Sequence, residues 1–530
     1  MTFRGAALAP VLALVLLSAP VLLAAQSHAA TVAGTVAGSW PMSNRDYSAN
    51  AYSPLQQINA SNVTQLQPAW SFTPAPGAPD AGFAIKATPI EVGGVLYYAT
   101  PNNAFAVDAR TGRQRWHFHW TSKGGYTLGN RGVAILKDRL YFETPDCNLV
   151  ALNLTDGAQI WHKSICDLDM YYYASAAPLI VNNHVIIGTS GDDIDIPGYV
   201  ASYDATTGAL QWRWYAHPQP GTPDAKSWPS TEAMLHGGGT TWGYKSYDPE
   251  LNLIYFGTGN AQPVIAGKAR PGANLYDASI IALNPDTGKM AWYFQATPHE
   301  AHDWDAIETP VLFDATIAGK PRKLLANASR NGWFFVLDRT NGHALVSRPY
   351  VDANWTLGTN AKGEPIPNPE KEPQVAGELS NPNQGGAANW FPPSYDPQTG
   401  LFYIDALNAW SVYYVYDLNA TPEGWGGNDQ GGYSEGELEA LDIKTGKPKW
   451  VHHWAYPSRS GLLTTAGNLV FSAGVSSDIE ALNASTGDPL WHAVLPHGVA
   501  NAPMTYSLDG VQYLVAGSGN QLVAFTLSPR

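Results

Sequence analysis

Two stretches of the chain concentrate side chains that can exchange protons or bind cations. The first is Thr297–Asp305, with the sequence TPHEAHDWD, which combines two histidines with three carboxylates. A carboxylate in such a group can act as a general base or as a ligand of a hard cation. His299 and His302 have the spacing of metal ligands on a helix, but the turns and short strands around them favour polar loop histidines.

The second stretch is Ser190–Asp195, with the sequence SGDDID, which contains three aspartates. A solvated acidic loop is the ordinary interpretation of such a run, and it is favoured for Asp192 and Asp195. Whether any of the three binds a cation depends on what the rest of the chain builds around them.

Several other kinds of active site are excluded because their motifs are missing. The sequence has no Gly-x-Ser-x-Gly, no His-Glu-x-x-His, no phosphate-binding loop and no Gly-x-Gly-x-x-Gly after a predicted strand. It also has no Cys-x-x-Cys-His, which excludes covalent c-type haem on this chain. Serine-nucleophile, helical zinc and nucleotide-phosphate chemistry are therefore poor explanations of the polar stretches.

The elements that position these residues are predicted to be short β-strands. The 530 residues include 51 Gly and 40 Pro, and 12% are aromatic. Aromatic side chains pack well on pleated surfaces, while Gly and Pro mark the turns between strands. The composition therefore predicts an all-β fold.

A repeat of the form Ala-x-Asp-x-x-Thr-Gly-x-x-x-Trp runs through the chain. In each copy a strand ends at a small residue, Asp or Asn with Thr-Gly makes a turn, and the next strand carries Trp toward the neighbouring repeat. The seven copies are Ala106–Trp116, Ala151–Trp161, Ser202–Trp212, Ala282–Trp292, Val336–Val346, Ala440–Trp450 and Ala481–Trp491. With one further strand-rich segment, Ser394–Ile404, units of four short strands predict an eight-bladed β-propeller.

These units resemble the tryptophan-docking motifs of the pyrroloquinoline-quinone (PQQ) dependent alcohol dehydrogenases, and the resemblance extends from Trp40 to Ala524. It implies one propeller domain, residues 31–530, in which eight four-stranded blades surround an axial PQQ. The first and last segments of the chain are then expected to close the ring.

The same resemblance implies a catalytic base. The Asp that follows Trp in Thr297–Asp305 matches the family's base, so Asp305 is expected to take the hydroxyl proton of an alcohol while hydride passes to the quinone. For an isolated Asp, an acidic turn on a solvated loop would be the ordinary alternative.

A metal site is implied by two further matches. Ser190–Asp193 corresponds to the family's Ser-Gly-Ala-Glu, and Gly257–Asn260 corresponds to its Gly-Ser-Gly-Asn. The expected metal ligands are therefore Asp193, Asn260 and Asp305. Calcium is the expected ion, because Ile307 stands where lanthanide-using relatives carry a further Asp ligand.

The resemblance also implies how PQQ is held. Trp242, among the glycines of Gly237–Gly243, is expected to lie flat beneath the quinone, with Thr240 bonding its edge. An ordinary core Trp is the alternative. Arg330 is expected to stabilise negative charge on the quinone oxygens, and Arg131 to clamp a carboxylate. Surface ion pairing is the alternative for both arginines. Further cofactor contacts are expected from Lys86, Ser175, Ser190, Gly191 and Asn389.

The chain departs from the family pattern around the expected roof of the cofactor. Gly124–Gly129 stands where many relatives carry a vicinal Cys-Cys pair, and Lys86 stands where they carry Glu. A family Trp is replaced by Arg459 and Ser460, and Asp193 is one methylene shorter than the usual Glu.

Residues 1–30 are predicted to be a secretory signal peptide. Arg4 precedes a mostly Ala, Leu and Val run from Ala6 to Ala25, and small residues close the segment near Ala29. An uncleaved membrane anchor is the alternative, although Pro10 and Pro20 interrupt the run. No other stretch approaches 18 apolar residues, so no membrane span is expected in the mature protein, and the predicted location is the periplasm.

The charge of the chain limits its partners. Removal of Arg4 with the leader leaves 29 basic against 44 acidic residues, a net charge of −15. Such a surface repels phosphate backbones, so nucleic acid is excluded, whereas a basic electron carrier is attracted. A separate c-type cytochrome is the expected electron acceptor.

The two cysteines, Cys147 and Cys166, flank a predicted hairpin formed by Asn148–Asn153 and Gln159–Ile165. This places them nearly opposite each other on antiparallel strands, within disulfide reach. A structural disulfide is favoured over two inert buried thiols.

The sequence thus predicts a periplasmic, PQQ- and Ca²⁺-dependent enzyme that oxidises an alcohol to an aldehyde or ketone. A cofactor-free propeller acting as a binding or assembly scaffold is the alternative. It gives no reason for Asp305, Arg330, Trp242 and Asn260 to converge. A propeller hydrolase would need paired carboxylates without a stacking Trp.

Overall fold

The structure is a computed structural model that describes Met1 and residues 38–191, 196–416, 424–458, 460–474 and 477–527. Apart from Met1, the predicted leader lies outside the described residues, as do Asp193 and Arg459. The described residues are almost entirely strands and turns, which confirms the all-β prediction.

Eight sheets of four or five strands, and one two-stranded hairpin, are formed by the described residues. Two short early strands, β1 (Tyr52–Ser53) and β2 (Leu66–Phe72), join sheets whose other strands come late in the chain. Five sheets then follow, each made of four consecutive antiparallel strands. They are β3 (Ile90–Val92), β4 (Val95–Thr100), β5 (Asn103–Asp108) and β6 (Gln114–His119); β7 (Ala134–Leu136), β8 (Arg139–Thr144), β9 (Asn148–Asn153) and β10 (Gln159–Ser164); β11 (Leu179–Val181), β12 (His184–Gly188), β13 (Tyr199–Asp204) and β14 (Leu210–Tyr215); β15 (Ser246–Asp248), β16 (Leu253–Gly257), β17 (Ser279–Leu283) and β18 (Met290–Gln295); and β19 (Val311–Ile317), β20 (Lys320–Ala328), β21 (Trp333–Asp338) and β22 (His343–Pro349).

The remaining strands complete the hairpin and three further sheets. They are the hairpin of β23 (Thr356–Thr359) and β24 (Pro365–Pro367); the sheet of β25 (Glu378–Ser380), β26 (Ser394–Asp396), β27 (Leu401–Val415), β28 (Gly427–Asp442) and β29 (Pro448–Trp454); the sheet of β30 (Leu463–Thr465), β31 (Leu469–Ala473), β32 (Asp478–Asn483) and β33 (Pro489–Val494), which β1 joins; and the sheet of β34 (Met504–Leu508), β35 (Val511–Ser518) and β36 (Gln521–Leu527), which β2 joins.

Helical structure is limited to short segments. One α-helix, α1 (Thr231–Leu235), begins after Ser230, whose hydroxyl accepts a hydrogen bond from the Ala233 amide. Single 3₁₀ turns occur at Val63–Gln65, Leu168–Met170, Pro223–Ser227, Gly267–Ala269 and Pro369–Lys371. Among the described residues, no helix has the length and apolar character that crossing a membrane requires.

The structure corrects the sequence assignment of one segment. Ser394–Ile404 was predicted to be a separate unit, but β26 and the start of β27 pair within the sheet that contains the Ala440–Trp450 repeat. The eighth sheet comes instead from β2, which pairs antiparallel with β36 from Leu66–Leu527 to Phe72–Leu522. That sheet could be recognised only from the two ends of the chain together, since it lacks a full copy of the repeat.

The repeats build contacts between neighbouring sheets. In the first copy Asp108 Oδ1 accepts hydrogen bonds from the amides of Arg110 and Thr111, and Gly112 adopts a φ of +69°. A Cβ atom on Gly112 would lie 2.7 Å from the ring of Trp70, whose Nε1 donates to the Ala109 carbonyl. Glycine is therefore required here by both its backbone conformation and the close approach of the ring.

The same ring-on-glycine contact recurs along the chain. It joins Trp116 to Gly157, Trp161 to Gly208, Trp212 to Gly288, Trp292 to Gly342 and Trp450 to Gly487. Behind these contacts, apolar side chains from adjacent sheets share cores; one core contains Val311, Phe334, Phe402 and Leu441. Each such side chain contributes roughly 1.5–3 kcal/mol on full burial.

Cys147 and Cys166 form a disulfide with a Cα–Cα distance of 5.1 Å. They lie just outside β9 and β10, and the pair Asn148–Ser164 is the last register pair before them. The prediction of a bonded pair is confirmed, and β10 ends one residue earlier than predicted.

Candidate active site

The segment that carries Asp305 is anchored by an aromatic stack. Trp304 is fully buried and its Nε1 donates to the Asn383 carbonyl, 3.0 Å away. The His302 ring stacks on Trp304 at 4.1 Å between centroids. Burial lowers the pKa of His302 to about 3, so its imidazole is neutral and acts as a packing group. This agrees with the prediction of a polar loop histidine rather than a metal ligand.

The carboxylate of Asp305 is fully buried and held from two directions. Its Oδ1 accepts a hydrogen bond from the Asn260 backbone amide at 2.7 Å, and its Oδ2 accepts one from Arg330 Nη1 at 2.7 Å. Charge-assisted bonds of this kind are short and directional, so the carboxylate has one defined orientation.

Arg330 is itself fixed by three hydrogen bonds to two groups besides Asp305. Its Nη2 donates to Asp303 Oδ2 at 2.7 Å and to the Gln384 carbonyl at 2.8 Å, and its Nε also donates to that carbonyl. A Cβ atom on Gly386 would lie 2.0 Å from Arg330 Cγ, so only glycine fits at that position. The guanidinium therefore bridges two aspartates rather than pairing with solvent.

Two buried oxygen atoms beside Asp305 have no hydrogen-bond partner among the residues that the structure describes. They are Asn260 Oδ1 and Thr240 Oγ1. A Cβ atom on Gly259 would lie 2.9 Å from Asp305 Oδ1 and 3.0 Å from Thr240 Oγ1, which shows how closely these residues surround the glycine. Buried oxygens without donors are suited to bind a hard cation or an edge of a polar ligand.

An aromatic and cationic stack lies next to this cluster. The guanidinium carbon of Arg131 lies 4.2 Å from the ring centroid of Trp242 and 4.9 Å from that of Trp390. Trp242 and Trp390 share a small apolar cluster with Ile307. Arg131 therefore lies over both indole rings, and a cation held among aromatic rings suits a ligand that bears carboxylates.

Arg131 is oriented by the serines that the sequence assigned to the same site. Its Nη1 donates to Ser175 Oγ at 2.5 Å, and Ser175 Oγ lies 2.9 Å from Ser190 Oγ. Gly191, which follows, has a φ of +129°, and a Cβ atom there would meet the Ile196 side chain at 2.3 Å. These four residues therefore form one connected group.

Lys86 and Asn389 line a separate cavity of about 260 Å³. The Lys86 ammonium donates to the Leu128 carbonyl, and burial together with nearby Arg131 lowers its pKa. Asn389 Nδ2 donates to the Gly385 carbonyl at 3.1 Å. Trp390 also lines this cavity, so the cavity adjoins the aromatic stack.

The structure thus brings most of the predicted site residues into two adjoining groups. Asp305, Arg330, Asn260 and Thr240 form one, and Arg131, Trp242, Ser175, Ser190 and Gly191 form the other, beside the cavity with Lys86 and Asn389. Asp193 lies outside the described residues, so its assigned role stays a prediction.

Sequence reasoning missed several carboxyl groups near Asp305. Asp303 lies within the quoted motif but was given no role, although it holds Arg330. Glu308, three residues after Asp305, is buried, and this burial raises its pKa well above the usual range, while Arg330 acts in the opposite direction. Burial also raises the pKa of Asp277 and of Glu300. Glu308 and Asp277 lie outside the quoted motif, and only the fold shows that they are buried near Asp305.

Asp405, which lines the cavity, is a further residue that sequence reasoning missed. It accepts hydrogen bonds from the hydroxyls of Ser458 and Ser472, each at 2.7 Å, and from Trp454 Nε1 at 3.0 Å. Burial raises its pKa to about 6. Three neutral donors therefore stabilise this carboxylate less than burial disfavours it.

Comparison with known proteins matches the chain to one family. The model of the PQQ glucose/ethanol/alcohol dehydrogenase β-propeller domain matches residues 40–350 and 451–514. A quinohemoprotein alcohol dehydrogenase of Comamonas testosteroni is 36% identical over 91% of this chain and 72% of its own length. A lanthanide-dependent methanol dehydrogenase of Methylacidiphilum fumariolicum is 32% identical over 91% of this chain and 85% of its own length.

Comparison with solved structures indicates the same family. The crystal structure of the quinohemoprotein alcohol dehydrogenase from Comamonas testosteroni has a TM-score of 0.86 and 32% identity, covering 96% of this chain and 85% of that one. The fold is therefore a β-propeller, and its class is that of the β-propeller dehydrogenases. Within that class, the chain belongs to the PQQ-dependent quinoprotein alcohol dehydrogenases.

Proposed function

We propose that this protein oxidises an alcohol to an aldehyde or ketone by hydride transfer to PQQ, with Asp305 as the general base. The observation that carries this proposal is the buried Asp305 carboxylate, held between the Asn260 amide and Arg330. Membership of the alcohol dehydrogenase family supplies the reaction class. We also propose that the eight sheets are the blades of the propeller and that the Trp-on-Gly contacts are its docking contacts.

The residues of this chain fit a planar, anionic cofactor and a cation. Arg131 and Trp242 would hold PQQ, with Thr240, Ser175, Ser190, Gly191, Lys86 and Asn389 around its edge. Asn260 and Asp305, with Asp193, would hold the metal, because Asn260 Oδ1 is a buried oxygen without a donor. When bound, PQQ and its metal supply the two-electron acceptor and polarise its reactive carbonyl.

The protein's own residues perform the proton and charge steps. Asp305 takes the hydroxyl proton of the alcohol, which leaves the carbinol carbon ready to lose hydride. Arg330 would place its positive charge beside the oxygens that become negative as hydride is transferred. Because Asp303 already fixes its position, the guanidinium does not have to move during the reaction. Trp242 and Trp390 keep the site apolar on one side, so these electrostatic interactions act with little screening.

We propose calcium as the metal. Ile307, which is fully buried in the cluster with Trp242, has no side-chain oxygen, and it occupies the position of the further Asp in lanthanide-using relatives. Reconstitution with Ca²⁺ is therefore expected to support turnover at least as well as reconstitution with La³⁺. A strict requirement for La³⁺ would contradict this assignment.

The location and partners are also proposed. Residues 1–30 would direct the chain to the periplasm, residues 31–530 would form a single propeller domain, and a separate c-type cytochrome would accept the electrons. The acidic surface, with a formal net charge of −14 for the full chain, favours a basic carrier.

The decisive experiment is to titrate the purified protein with PQQ and Ca²⁺ and to follow dye reduction with a panel of primary and secondary alcohols. We expect stoichiometric PQQ binding and alcohol-dependent turnover, which Asp305→Ala abolishes while the exposed Asp138→Asn does not. If PQQ neither binds nor supports turnover, and Asp305→Ala changes nothing, the scaffold alternative is correct.

A further inference from the structure

A row of carboxylates lies on β28, far in sequence from the proposed active site. Glu435, Glu437 and Glu439 alternate along the strand and therefore point to the same face of the sheet. Glu435 is 37% exposed and Glu437 is 15% exposed, while Glu439 is 1% exposed. The row thus runs from the surface into the packed interior.

A histidine on the neighbouring strand completes the outer part of this row. His453 on β29 is the register partner of Glu437. Its Nδ1 lies 3.0 Å from Glu435 Oε1 and 3.4 Å from Glu437 Oε1. One ligand atom from each of the three residues lies within 4.8 Å of the other two, and no other His, Cys, Asp or Glu group among the described residues meets that condition.

The inner end of the row gives an independent indication of a missing cation. No donor hydrogen-bonds to either carboxyl oxygen of Glu439, although the side chain is almost completely buried. The side chain that acts on it is Glu437, another carboxyl, which lies within hydrogen-bond reach of it. Two buried carboxyl groups in contact must share a proton or a cation, and a cation bound to Glu437 would relieve the repulsion between them.

The surrounding side chains do not provide that cation. The charged groups that act on Glu437 are Glu435, Asp352 and His453, of which only His453 can be positive. On β27, the residues opposite Glu439 and Glu437 are Ile404 and Ala406, which are apolar. In this part of the described structure, three carboxyl groups therefore face one imidazole, and no Lys or Arg is among the groups that act on Glu437.

We propose that Glu435, Glu437 and His453 bind a divalent first-row cation such as Zn²⁺, with Glu439 positioning Glu437 from behind. Two carboxylate oxygens and one imidazole nitrogen are a usual three-ligand set for such an ion and leave a position for water. An acidic group behind a ligand orients it and raises its affinity. The ion would connect β28 to β29 near the point where β28 extends beyond β29.

The test is calorimetric titration of Zn²⁺ into the enzyme already loaded with PQQ and excess Ca²⁺, so that the cofactor site is filled. We expect one equivalent to bind to the wild type and none at this site in Glu437→Gln or His453→Gln. Glu439→Gln is expected to bind at least tenfold more weakly, as changes behind a metal ligand do. Excess Mg²⁺ should not compete, because imidazole selects softer cations.

Matched controls separate this site from adventitious binding. His343→Gln and Glu370→Gln remove an exposed histidine and an exposed glutamate elsewhere and should bind Zn²⁺ like the wild type. The proposal is overturned if the wild type takes up no more Zn²⁺ than Glu437→Gln, or if the controls lose as much binding. The cluster is then only a set of ion pairs.

A second measurement guards against misfolded variants. Zn²⁺ is expected to raise the Tm of the wild type by about 2–4 °C and to leave that of Glu435→Gln unchanged, since binding to the folded state alone stabilises it. Glu435 is a surface residue, so its substitution preserves the buried part of the row. Equal shifts in both proteins would contradict the site.

Discussion

Two aspartates, Asp305 and Asp405, are both removed from bulk water, yet their surroundings differ. Asp305 is fully buried and bonded to a guanidinium and a backbone amide. Asp405 faces the cavity and is bonded only to two hydroxyls and an indole. The first belongs to a region built around charge, and the second to a region built from neutral donors.

The two regions also differ in their relation to the family. The base region, comprising Asp305, Arg330, Asn260 and Thr240, lies entirely within residues 40–350, which the family model matches. The cavity region, comprising Asp405, the wall at 385–392 and the serines Ser458 and Ser460, lies largely in the unmatched interval 351–450. The family model therefore matches the residues around Asp305 but not most of those around Asp405.

The largest expected effect comes from the base region. Asp305→Asn keeps the shape of the side chain but cannot accept a proton, so kcat should fall about 10³-fold, or about 4 kcal/mol. Dye-linked alcohol oxidation at saturating PQQ and Ca²⁺ measures this. Asp405→Asn should lose less than tenfold under the same conditions. Equal losses in the two variants would remove the functional distinction between the regions.

The pH dependence of folding stability tests the effect of the neutral surroundings of Asp405. The pKa of Asp405 is about 6 in the folded protein, against an ordinary value of 3.8. Below about pH 4 the Asp405 carboxyl is protonated in both the folded and the unfolded protein, and its contribution to stability is fully present. Between about pH 4 and 6 only the unfolded chain releases the proton, so this contribution is lost as the pH rises, by up to about 3 kcal/mol.

Urea unfolding of the wild type and of Asp405→Asn at pH 4, 5, 6 and 7 measures this effect, because the other titrating groups cancel in the difference. The advantage of the wild type over the variant should shrink from pH 4 to 6 and then become constant. A difference that grows with pH would mean that the folded protein favours the charged form of Asp405.

The sequence indicated which residues lie together around Asp305, but not which residues surround Asp405, for a physical reason. Asp305, Arg330 and Trp242 occur in local motifs, so their positions could be recognised without the fold. Asp405 acquires its properties from Ser458 and Ser472, more than fifty residues away, and no local pattern records that contact. The prediction that Ser394–Ile404 forms a separate unit was wrong for the same reason, because β27 pairs with β28, which lies further along the chain.

An intermediate effect is expected at the aromatic floor between the two regions. Trp242→Ala removes the ring beneath Arg131 and, with it, the proposed stacking face for PQQ. Aromatic contacts of this kind contribute about 1–3 kcal/mol, so PQQ affinity should fall roughly tenfold to a hundredfold. Fluorescence titration with PQQ measures it, and Trp242→Phe, which keeps a flat ring, should recover most of the affinity. No change in Trp242→Ala would show that the floor does not contact the cofactor.

The smallest expected effect lies in the cavity region, at Lys86. Its ammonium is partly exposed and already bonded to the Leu128 carbonyl, and a partly solvated charge contributes about 0–1 kcal/mol to an ion pair. Lys86→Met should therefore weaken PQQ binding by less than tenfold, while the exposed control Lys137→Met should have no effect. If Lys86→Met instead costs as much affinity as Trp242→Ala, the cavity region fixes the cofactor as strongly as the floor does. Its departures from the family would then be part of how this chain binds PQQ.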